Sequence, residues 1–248
     1  MGFKRNTHYP MNCILLPKNA KSINDPTQIT HIKEVLKSKV DDTLTIGEIG
    51  GNIGKATIDQ INANEVLLRD IIVDKKPPAK LDVTVILALP RPKVLRRLIM
   101  DMTSLGVNRI IIVNSYRSQK SYWQSPLLKR IDEFVFEGLQ QAIDTVPPVI
   151  ECKKYFKPFV EDEFPALLLA KEQSNAIIAH PYASQSWKSY LDEAKNMPNI
   201  LCIGAEGGWI EYEVDLLCEH GCRAVSLGSR ILRTETVVNV LLGHWMEG

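Results

Sequence analysis

The segments IGAEGGW (203–209) and SLGSRILRTET (226–236) decide how we interpret the second half of this chain. Each follows a short apolar run, 199–203 and 224–227, of the kind typical of a strand that is buried on both faces. Between them, acidic residues in the first turn and a terminal glycine predict a helix over 210–220. The order is therefore strand, glycine loop, helix, strand, glycine loop. We expect both loops to leave the same ends of neighbouring parallel strands, which is where open α/β sheets bind ligands.

The composition is that of an ordinary globular protein. The chain has 248 residues, of which 45% are hydrophobic and 24% are charged, enough for one large domain or two smaller ones. Its formal net charge of +1 neither indicates nor excludes a nucleic-acid partner. The sequence has no signal-peptide pattern and no apolar run near the ~20 residues of a membrane helix. We therefore expect a cytoplasmic protein without a membrane partner.

Cysteine and histidine give no metal-ligand pattern. The five cysteines are scattered along a chain without an export signal, which favours reduced thiols. Cys218 and Cys222 are four residues apart, but no second pair or histidine cluster completes a site, so we interpret them as core thiols. We therefore predict that the protein holds no metal.

A change of pattern divides the chain into two predicted domains. Strand-like segments separated by turn residues, with one short helix over 29–36, predict a small β-barrel within residues 1–74. Residues 1–10 are expected to be a flexible lead-in. The sequence KKPPAK at 75–80 has no periodicity and two prolines, which predicts a linker. From 81 to 248, strands alternate with helices, which predicts an α/β domain whose parallel sheet is covered by helices on both faces.

The last helix, predicted from Glu235 to about Trp245, is apolar on nearly every face. A helix of this kind is expected to be buried on all sides. Two interpretations stay open at this point. The helix is covered within its own domain, or it lies in a contact between two subunits.

Three predicted strands in the second half end in polar or glycine-rich sequence. The strand 176–179 runs into His180 and Pro181, and the strands 200–203 and 225–227 run into the two glycine loops. If all three are parallel, their ends form one pocket, in which a ligand can lie against backbone groups. The alternative is that the glycines only make tight turns.

The residues of these loops favour a cationic ligand over a phosphate. GAEGG is neither a dinucleotide-binding motif nor a P-loop, and Glu206 at its centre repels a pyrophosphate. A ligand with positive charge and hydrogen-bond donors, such as an aminoacyl sulfonium or an adenosine, fits better. Arg230 and Arg233 in the second loop suit a phosphate or a developing anion, or else form structural ion pairs.

Two further stretches have the composition of an RNA-binding surface. Cations at the start of the helix after the first strand of the large domain oppose the helix dipole, and a polyanionic partner explains their presence. The segment SYRSQKSYW at 115–123 mixes aromatic and cationic residues, which suits unpaired RNA. A solvated charged surface with packed aromatic rings is the alternative for both. The cations of the first stretch are Arg91, Lys93, Arg96 and Arg97.

The glycine loops, taken with shorter matches elsewhere, resemble the SPOUT-class methyltransferases that form N3-methyluridine in bacterial small-subunit (16S) ribosomal RNA. IGAEGG resembles that family's IGPEGG, with Ala205 in place of proline, and LGSRILRTET matches its LGxRILRTET. The HP step at 180–181, LGV at 105–107 and SYRS at 115–118 resemble further family motifs. HIKEVLK at 31–37 is similar to a motif of the family's N-terminal barrel. The resemblance covers nearly the whole chain.

This resemblance implies a fold and an activity. The family combines a PUA-like RNA-binding barrel with an α/β domain that has a parallel sheet and a C-terminal trefoil knot, and it works as a homodimer. The implied activity is transfer of a methyl group from S-adenosylmethionine to N3 of a uridine in small-subunit ribosomal RNA. Lys37, Arg117 and the four cations of the predicted helix are then expected to bind RNA.

The resemblance also assigns residues to the site. Arg233 is expected to face the target uracil and to stabilise the negative charge that develops when N3 loses its proton. The methyl group is expected to pass by direct displacement between positioned reactants. Glu235 is a candidate base by proximity alone. The residues expected to contact the cofactor are Ala179, His180, Pro181, Ile203, Gly204, Ala205, Glu206, Gly207, Ser226, Leu227, Gly228, Ile231, Leu232 and Thr234.

The chain departs from the family pattern in segments that are expected to face RNA. Ile143 stands where arginine is usual, LPRPKVLRR at 89–97 replaces a lysine-glycine-aspartate-lysine sequence, and MNCILL at 11–16 lacks an arginine-aromatic pair. A divergent paralogue that methylates another RNA site is therefore one alternative. A non-catalytic RNA- or ribosome-binding factor is a second. A nucleotide-dependent enzyme with an ordinary doubly wound fold is disfavoured by Glu206 and by the missing phosphate motif.

Overall fold

The computed structural model describes residues 12–170, 174–194 and 196–246. The expectation of a flexible lead-in at residues 1–10 lies outside these ranges. The chain divides into two compact units, the first formed by Met1–Ala79 with Val135–Pro147 and the second by Lys80–Phe134 with Pro148–Gly248. The sequence analysis assigns residues 135–147 to the second domain, whereas the structure groups them with the first unit.

The first unit contains a mixed sheet with the strands β1 (Ile14–Leu16), β2 (Ser22–Ile23), β3 (Thr43–Glu48), β4 (Ile53–Ile61) and β5 (Val66–Lys75). Its strand order is β1-β3-β4-β5-β2, with β1 and β3 parallel and the other pairs antiparallel. Within the described ranges no ladder joins β1 to β2, and β2 is only two residues long. The structure therefore shows the predicted small N-terminal β-domain as a mixed sheet.

A short helical segment covers part of this sheet. The side chain of Asp25 accepts a hydrogen bond from the Gln28 N–H at 2.9 Å and so begins α1 (Pro26–Thr30). A π-helical turn at His31–Val35 continues it. Ile32 is fully buried in the core of the unit, whereas Val35 is 39% and Leu36 45% exposed, so only part of the short helix predicted over 29–36 faces the core.

The second unit contains a parallel sheet with the strands β6 (Leu81–Ala88), β7 (Val107–Val113), β8 (Val149–Lys153), β9 (Ala176–Ala179), β10 (Gln185–Ser186), β11 (Ile200–Ile203) and β12 (Cys222–Ser226). Its strand order is β10-β12-β9-β11-β6-β7-β8, and every adjacent pair is parallel. All four residues of β11 are buried, as expected for a strand covered on both faces. The predicted parallel sheet is confirmed.

The position of β9 corrects one expectation. The two strands that precede the glycine loops, β11 and β12, are not neighbours, because β9 lies between them. Strand order in a sheet depends on tertiary packing, which the apolar runs do not encode. Ala179 at the end of β9 pairs with Ile203 on one side and with Val225 on the other. The three carboxyl ends therefore lie side by side, as predicted.

The remaining helices are α2 (Pro92–Ser104), α3 (Ile131–Ala142), α4 (Phe156–Pro158), α5 (Phe164–Leu169), α6 (Trp187–Glu193), α7 (Glu211–Glu219) and α8 (Thr234–Gly243). The helical segment before β9 begins at α4 and runs through a π-helical turn into α5, whereas the sequence predicts a helix only over about 162–170. The helix α6 was not predicted. It begins where the Ser186 side chain accepts a hydrogen bond from the Ser189 N–H at 3.1 Å, a cap in a sequence with little periodicity.

The last helix, α8, is covered on one face only. Val238, Leu241 and Leu242 are buried, and α8 packs against α2. Val240 is 44% exposed, so the expectation of burial on all sides is wrong for a single chain. None of the helices in the described ranges is long and apolar enough to cross a membrane.

Candidate functional site

A cavity of about 900 Å³ opens where β9 and β11 end, beside α7 and α8. Most residues predicted to contact the cofactor line it, and the exceptions are Ser226, Leu227 and Gly228. Several wall residues were not among the predicted contacts, although they lie beside them in the adjoining loops, helices and strand. These are Tyr182, Ala183, Ser184, Gly208, Trp209, Ile210, Glu211, Val214, Asp215, Ala224 and Val237.

The loop after β11 is folded tightly on itself. A Cβ atom on Gly204 would lie 3.0 Å from the Cα of Gly208 and 3.2 Å from the nitrogen of Trp209. Gly208 has a φ of +70°, a conformation that favours glycine, and its N–H donates to the Ala205 carbonyl at 2.8 Å. These glycines make a tight turn and let backbone segments approach each other closely. The turn interpretation and the ligand-site interpretation of the sequence are therefore compatible.

Glu213 joins this loop to the loop after β7. Its buried carboxylate accepts hydrogen bonds from the Ile210 N–H at 3.0 Å, the Tyr116 N–H at 2.8 Å and the Ser115 hydroxyl at 3.4 Å. The first bond caps α7, and the other two fix the SYRS segment. The sequence analysis assigned Glu213 only to the helix dipole. Its distance of three residues from the helix start is a capping signal, but nothing in the sequence points to its bonds to 115–116.

Arg117 forms part of the cavity wall. Its guanidinium donates a hydrogen bond to the Gly207 carbonyl, and a Cβ on Gly207 would lie 3.0 Å from the Arg117 Cβ. The next residue, Ser118, donates to the Leu89 carbonyl at 2.7 Å and so ties this loop to the end of β6. The structure thus places Arg117, predicted to bind RNA, against the glycine loop.

The electrostatic character of the wall is acidic. Among the described lining residues, the carboxylates of Glu206, Glu211 and Asp215 outnumber the single guanidinium, that of Arg117. The Glu206 carboxylate accepts from the Arg91 backbone N–H at 3.1 and 3.3 Å, so it also anchors the loop after β6. An acidic wall favours a cationic ligand and disfavours a pyrophosphate.

His180 is a neutral member of the wall. Burial, and secondly the nearby positive charge of Arg117, lower the pKa of its imidazole below the ordinary value of 6.5. Its Nδ1 atom is buried and has no hydrogen-bond partner within the described ranges, and the same is true of the Trp209 indole nitrogen. Buried polar atoms without partners are uncommon, so these two are candidates for contacts with a ligand.

The loop after β12 meets the cavity from the other side. The Thr234 hydroxyl donates to the Gly204 carbonyl at 3.1 Å and thereby links the two glycine-rich segments. Leu232 and Thr234 line the cavity, and Ile231 lines it while remaining 73% exposed. Arg233 is exposed at the start of α8, just outside the lining.

Glu235 and the predicted RNA-binding cations differ in their surroundings. The Glu235 side chain is 13% exposed and its Oε1 lies 2.8 Å from Arg97 Nη2, so the candidate base forms an ion pair with a guanidinium.

The guanidinium of Arg96, another of the predicted RNA-binding cations, lies over the Phe134 ring at 5.5 Å. Lys93 is exposed on α2, and Lys37 is exposed in the first unit. Of the predicted RNA-binding cations, the structure brings Arg91, Arg97 and Arg117 into contact with residues of the two loops or of α8.

The cysteines lie away from any ligand cluster. Cys222 is buried with its sulfur 3.8 Å from that of Cys202, and Cys218 is half-buried. In the part of the chain that the structure describes, no group of three or more His, Cys, Asp or Glu side chains is arranged to hold a metal ion.

Residues 77–246, most of the chain, match the family described as the RNA methyltransferase domain. The chain belongs to this RNA methyltransferase family. The second unit and its cavity lie almost entirely within the matched region.

Two relatives and two solved structures illustrate how closely this family member resembles the others. It is 28% identical over 214 residues to the ribosomal RNA small subunit methyltransferase E of Treponema pallidum, covering 85% of this chain and 79% of the relative. It is also 28% identical over 225 residues to the Rickettsia conorii protein of the same name, covering 89% and 87%.

The solved structures share the fold at lower identity. The ribosomal RNA small subunit methyltransferase E of Neisseria gonorrhoeae, bound to S-adenosylmethionine, superposes with a TM-score of 0.71 at 22% identity, over 95% of this chain and 96% of that one. A Legionella pneumophila protein in complex with the same cofactor gives a TM-score of 0.74 at 22% identity, over 96% and 98%. These structures establish the two-part α/β architecture.

Proposed function

We propose that this member of the RNA methyltransferase family transfers the methyl group of S-adenosylmethionine to N3 of a uridine in small-subunit ribosomal RNA. The observation that carries the proposal is the acidic cavity walled by the backbone of a tight glycine loop. It suits a cationic, hydrogen-bonding ligand. The names of the relatives supply the substrate class, and the solved relatives that contain S-adenosylmethionine supply the cofactor.

The wall residues fit this cofactor by their chemistry. When bound, S-adenosylmethionine supplies a methyl group on a positively charged sulfonium, and its amino group adds a second positive charge. The carboxylates of Glu206, Glu211 and Asp215 complement those charges. The unpartnered side-chain nitrogens of His180 and Trp209 are available to an adenosine. The remaining predicted contacts, Ser226, Leu227 and Gly228, stay predictions.

Arg233 is proposed to act on the acceptor base. Its exposed guanidinium stands at the start of α8, next to two residues that line the cavity. A fixed positive charge beside the uracil favours the form that has lost its N3 proton, because the negative charge spreads onto the carbonyl oxygens. Glu235 is assigned a structural role. Its carboxylate forms an ion pair with Arg97 of α2 and so connects α2 to the first turn of α8.

The assembly and the path of the chain are also proposed. The uncovered face of α8, where Val240 is 44% exposed, supports a homodimer in which a second copy covers this helix. A trefoil knot in the second unit is carried over from the family resemblance. The substrate places the protein with the small ribosomal subunit in the cytoplasm.

The test is to methylate small-subunit ribosomal RNA from a strain in which the corresponding gene is deleted. The RNA is supplied free and within assembled subunits, together with S-adenosylmethionine, and the product is mapped by mass spectrometry. We expect one N3-methyluridine that is absent without protein. A methyl group on another nucleotide would identify a divergent paralogue. Absence of transfer from both substrates, with no binding at millimolar cofactor, would identify a non-catalytic RNA- or ribosome-binding factor.

A further inference from the structure

Tyr182 combines two properties. It belongs to the cavity lining, as Ile231 does, and it is 77% exposed. A residue with both properties stands at the rim, where the cavity meets solvent. The cavity of about 900 Å³ is near the upper end of the range for small-ligand sites, about 300–1,000 Å³. It therefore has room for an acceptor group beside a cofactor.

The backbone on both sides of Tyr182 is fixed. The His180 N–H donates to the Val225 carbonyl of β12 at 3.0 Å, and the Ala183 N–H donates to the His180 carbonyl at 3.2 Å. These bonds close a turn over 180–183, with Pro181 in the second position, where its ring restricts the backbone. Tyr182 follows at the tip of the turn. The turn at the end of β9 therefore fixes the backbone of Tyr182 without a bound ligand.

The ring of Tyr182 is oriented by one neighbour. The His180 and Tyr182 ring centroids lie 5.7 Å apart, at an interplanar angle of 73°. This edge-to-face contact leaves most of the phenol ring open to solvent, in agreement with its exposure. An open, oriented aromatic ring next to a cavity is the surface on which proteins stack unpaired nucleobases.

We propose that Tyr182 is the stacking surface for the acceptor uracil, which it holds at the rim of the cavity so that N3 faces inward. This inference rests on the proposed methyl transfer to a uridine and assigns a residue that binds the substrate base. Arg233 supplies charge at the same site, whereas Tyr182 supplies a planar apolar contact. Tyr182 acts on RNA binding and leaves cofactor binding to the loop after β11.

The chain offers a matched control in Tyr155. This tyrosine follows β8 of the same sheet and is 75% exposed, but it does not line the cavity. Replacing either exposed ring with alanine removes the same atoms and leaves little unfilled volume. A difference between the two variants therefore reports the position of the ring and not the loss of a tyrosine.

The experiment compares Y182A, Y182F, Y182W and Y155A in methyl transfer to small-subunit ribosomal RNA, in cofactor calorimetry and in the binding of a labelled uridine-containing oligonucleotide. Stacking on aromatic side chains corresponds to about 5- to 150-fold in binding. We expect Y182A to raise the KM for RNA by about tenfold or more and to weaken oligonucleotide binding similarly. Its cofactor Kd should stay within about twofold of wild type. Y155A should behave as wild type in all three measurements, and Y182F and Y182W, which keep a stacking ring, should recover most of the RNA binding that Y182A loses.

Three results would overturn the assignment. An unchanged KM and oligonucleotide affinity in Y182A would show that the ring does not hold RNA. A cofactor Kd that weakens in proportion would place the ring against the cofactor instead. A Y182F variant as impaired as Y182A would assign the effect to the hydroxyl. If the wild-type protein transferred no methyl group, the proposed function would fail, and the oligonucleotide titration would still decide the role of Tyr182.

Discussion

The two glycine-rich loops have similar compositions but differ in how the protein holds them. The loop after β11 (204–210, the anchored loop) receives hydrogen bonds from Arg117 and Thr234, and Glu213 accepts one from its last residue. The loop after β12 (227–233, the open loop) is half-buried or exposed throughout. For residues 227–232 we find no hydrogen bond or ion pair with the part of the chain that the structure describes.

This difference indicates that a glycine-rich motif does not by itself determine how firmly the protein holds the loop. Partners of the anchored loop come from distant parts of the chain, the segment after β7 and the helices α7 and α8. Among the residues that the structure describes, none is such a partner of 227–232 in the open loop, although the motif there is the longer of the two. We infer that the anchored loop is shaped before the cofactor binds, and that the open loop takes its working shape on contact with RNA or a second copy.

Removal of the Glu213 carboxylate should have the largest effect on the anchored loop. Glu213→Ala leaves three donors without an acceptor, at a site where the side chain is 2% exposed. Hydrogen bonds to a charged group contribute about 1.5–3 kcal/mol each, so we expect the free energy of unfolding to fall by at least about 3 kcal/mol. Cofactor affinity should fall at least tenfold. Denaturant titration and calorimetry measure the two quantities.

Two control variants accompany Glu213→Ala, one at another position of α7 and one at position 213 itself. Glu219→Ala removes an exposed carboxylate at the other end of α7 and should change neither quantity measurably. Glu213→Gln keeps an acceptor oxygen and should recover part of the loss. A Glu213→Ala variant with wild-type stability and affinity would remove the distinction between the two loops.

A methyl group on Gly204 should have the next largest effect. The Cβ of Gly204→Ala would lie 3.0 Å from the backbone of Gly208, which must move to admit it. Overpacking of this kind costs about 1–3 kcal/mol, and we expect a weaker cofactor Kd together with a lower Tm. Gly243→Ala is the control, since nothing lies within 4 Å of its Cβ position. Equal Tm values for the two variants would contradict the tight fold of the anchored loop.

Thr234→Val tests the link between the loops. It removes the hydrogen bond from the Thr234 hydroxyl to the Gly204 carbonyl and keeps the shape of the side chain. One neutral hydrogen bond contributes about 1 kcal/mol, so the expected loss of stability is of that size. Thr236→Val, in the same helical turn, is the matched control. Denaturant midpoints that coincide for the two variants would show that the bond does not couple the loops.

Ile231→Ala should have the smallest effect on folding. Its side chain is 73% exposed on the open loop, so its truncation should change the free energy of unfolding by less than about 0.5 kcal/mol. A loss of more than 1 kcal/mol at micromolar protein, diminishing on dilution, would show that a second copy already covers this loop. The measurement is a denaturant titration at two protein concentrations.

Several parts of the fold and the site follow from local sequence. Apolar runs predicted the parallel strands, the acidic start and glycine end predicted α7, and three polar strand ends predicted the cavity edge. Each of these depends on neighbours in the sequence. The family resemblance, and not these local rules, assigned 179–181 and 203–207 to the site, and the structure places them in the cavity lining at the ends of β9 and β11.

The parts that sequence did not predict depend on residues far apart in the chain. The insertion of β9 between β11 and β12 is decided by packing, and the helix α6 has a cap but little periodicity. Glu213 contacts a segment 97 residues away. Arg117 was predicted as an RNA contact because its charge suits RNA. Only the structure brings the guanidinium to the Gly207 carbonyl.

The central claim is that the anchored loop holds the cofactor and that Arg233, the last residue of the open loop, acts on the base. Arg233→Ala tests it most directly, with the S-adenosylmethionine Kd from calorimetry and the rate of methyl transfer to small-subunit ribosomal RNA measured on the same preparation. The account predicts a Kd within about twofold of wild type and a rate lower by about 100-fold or more, the effect of removing one preorganised charge-stabilising group. Equal turnover in the variant and the wild type, or a Kd that weakens as much as the rate falls, would contradict it.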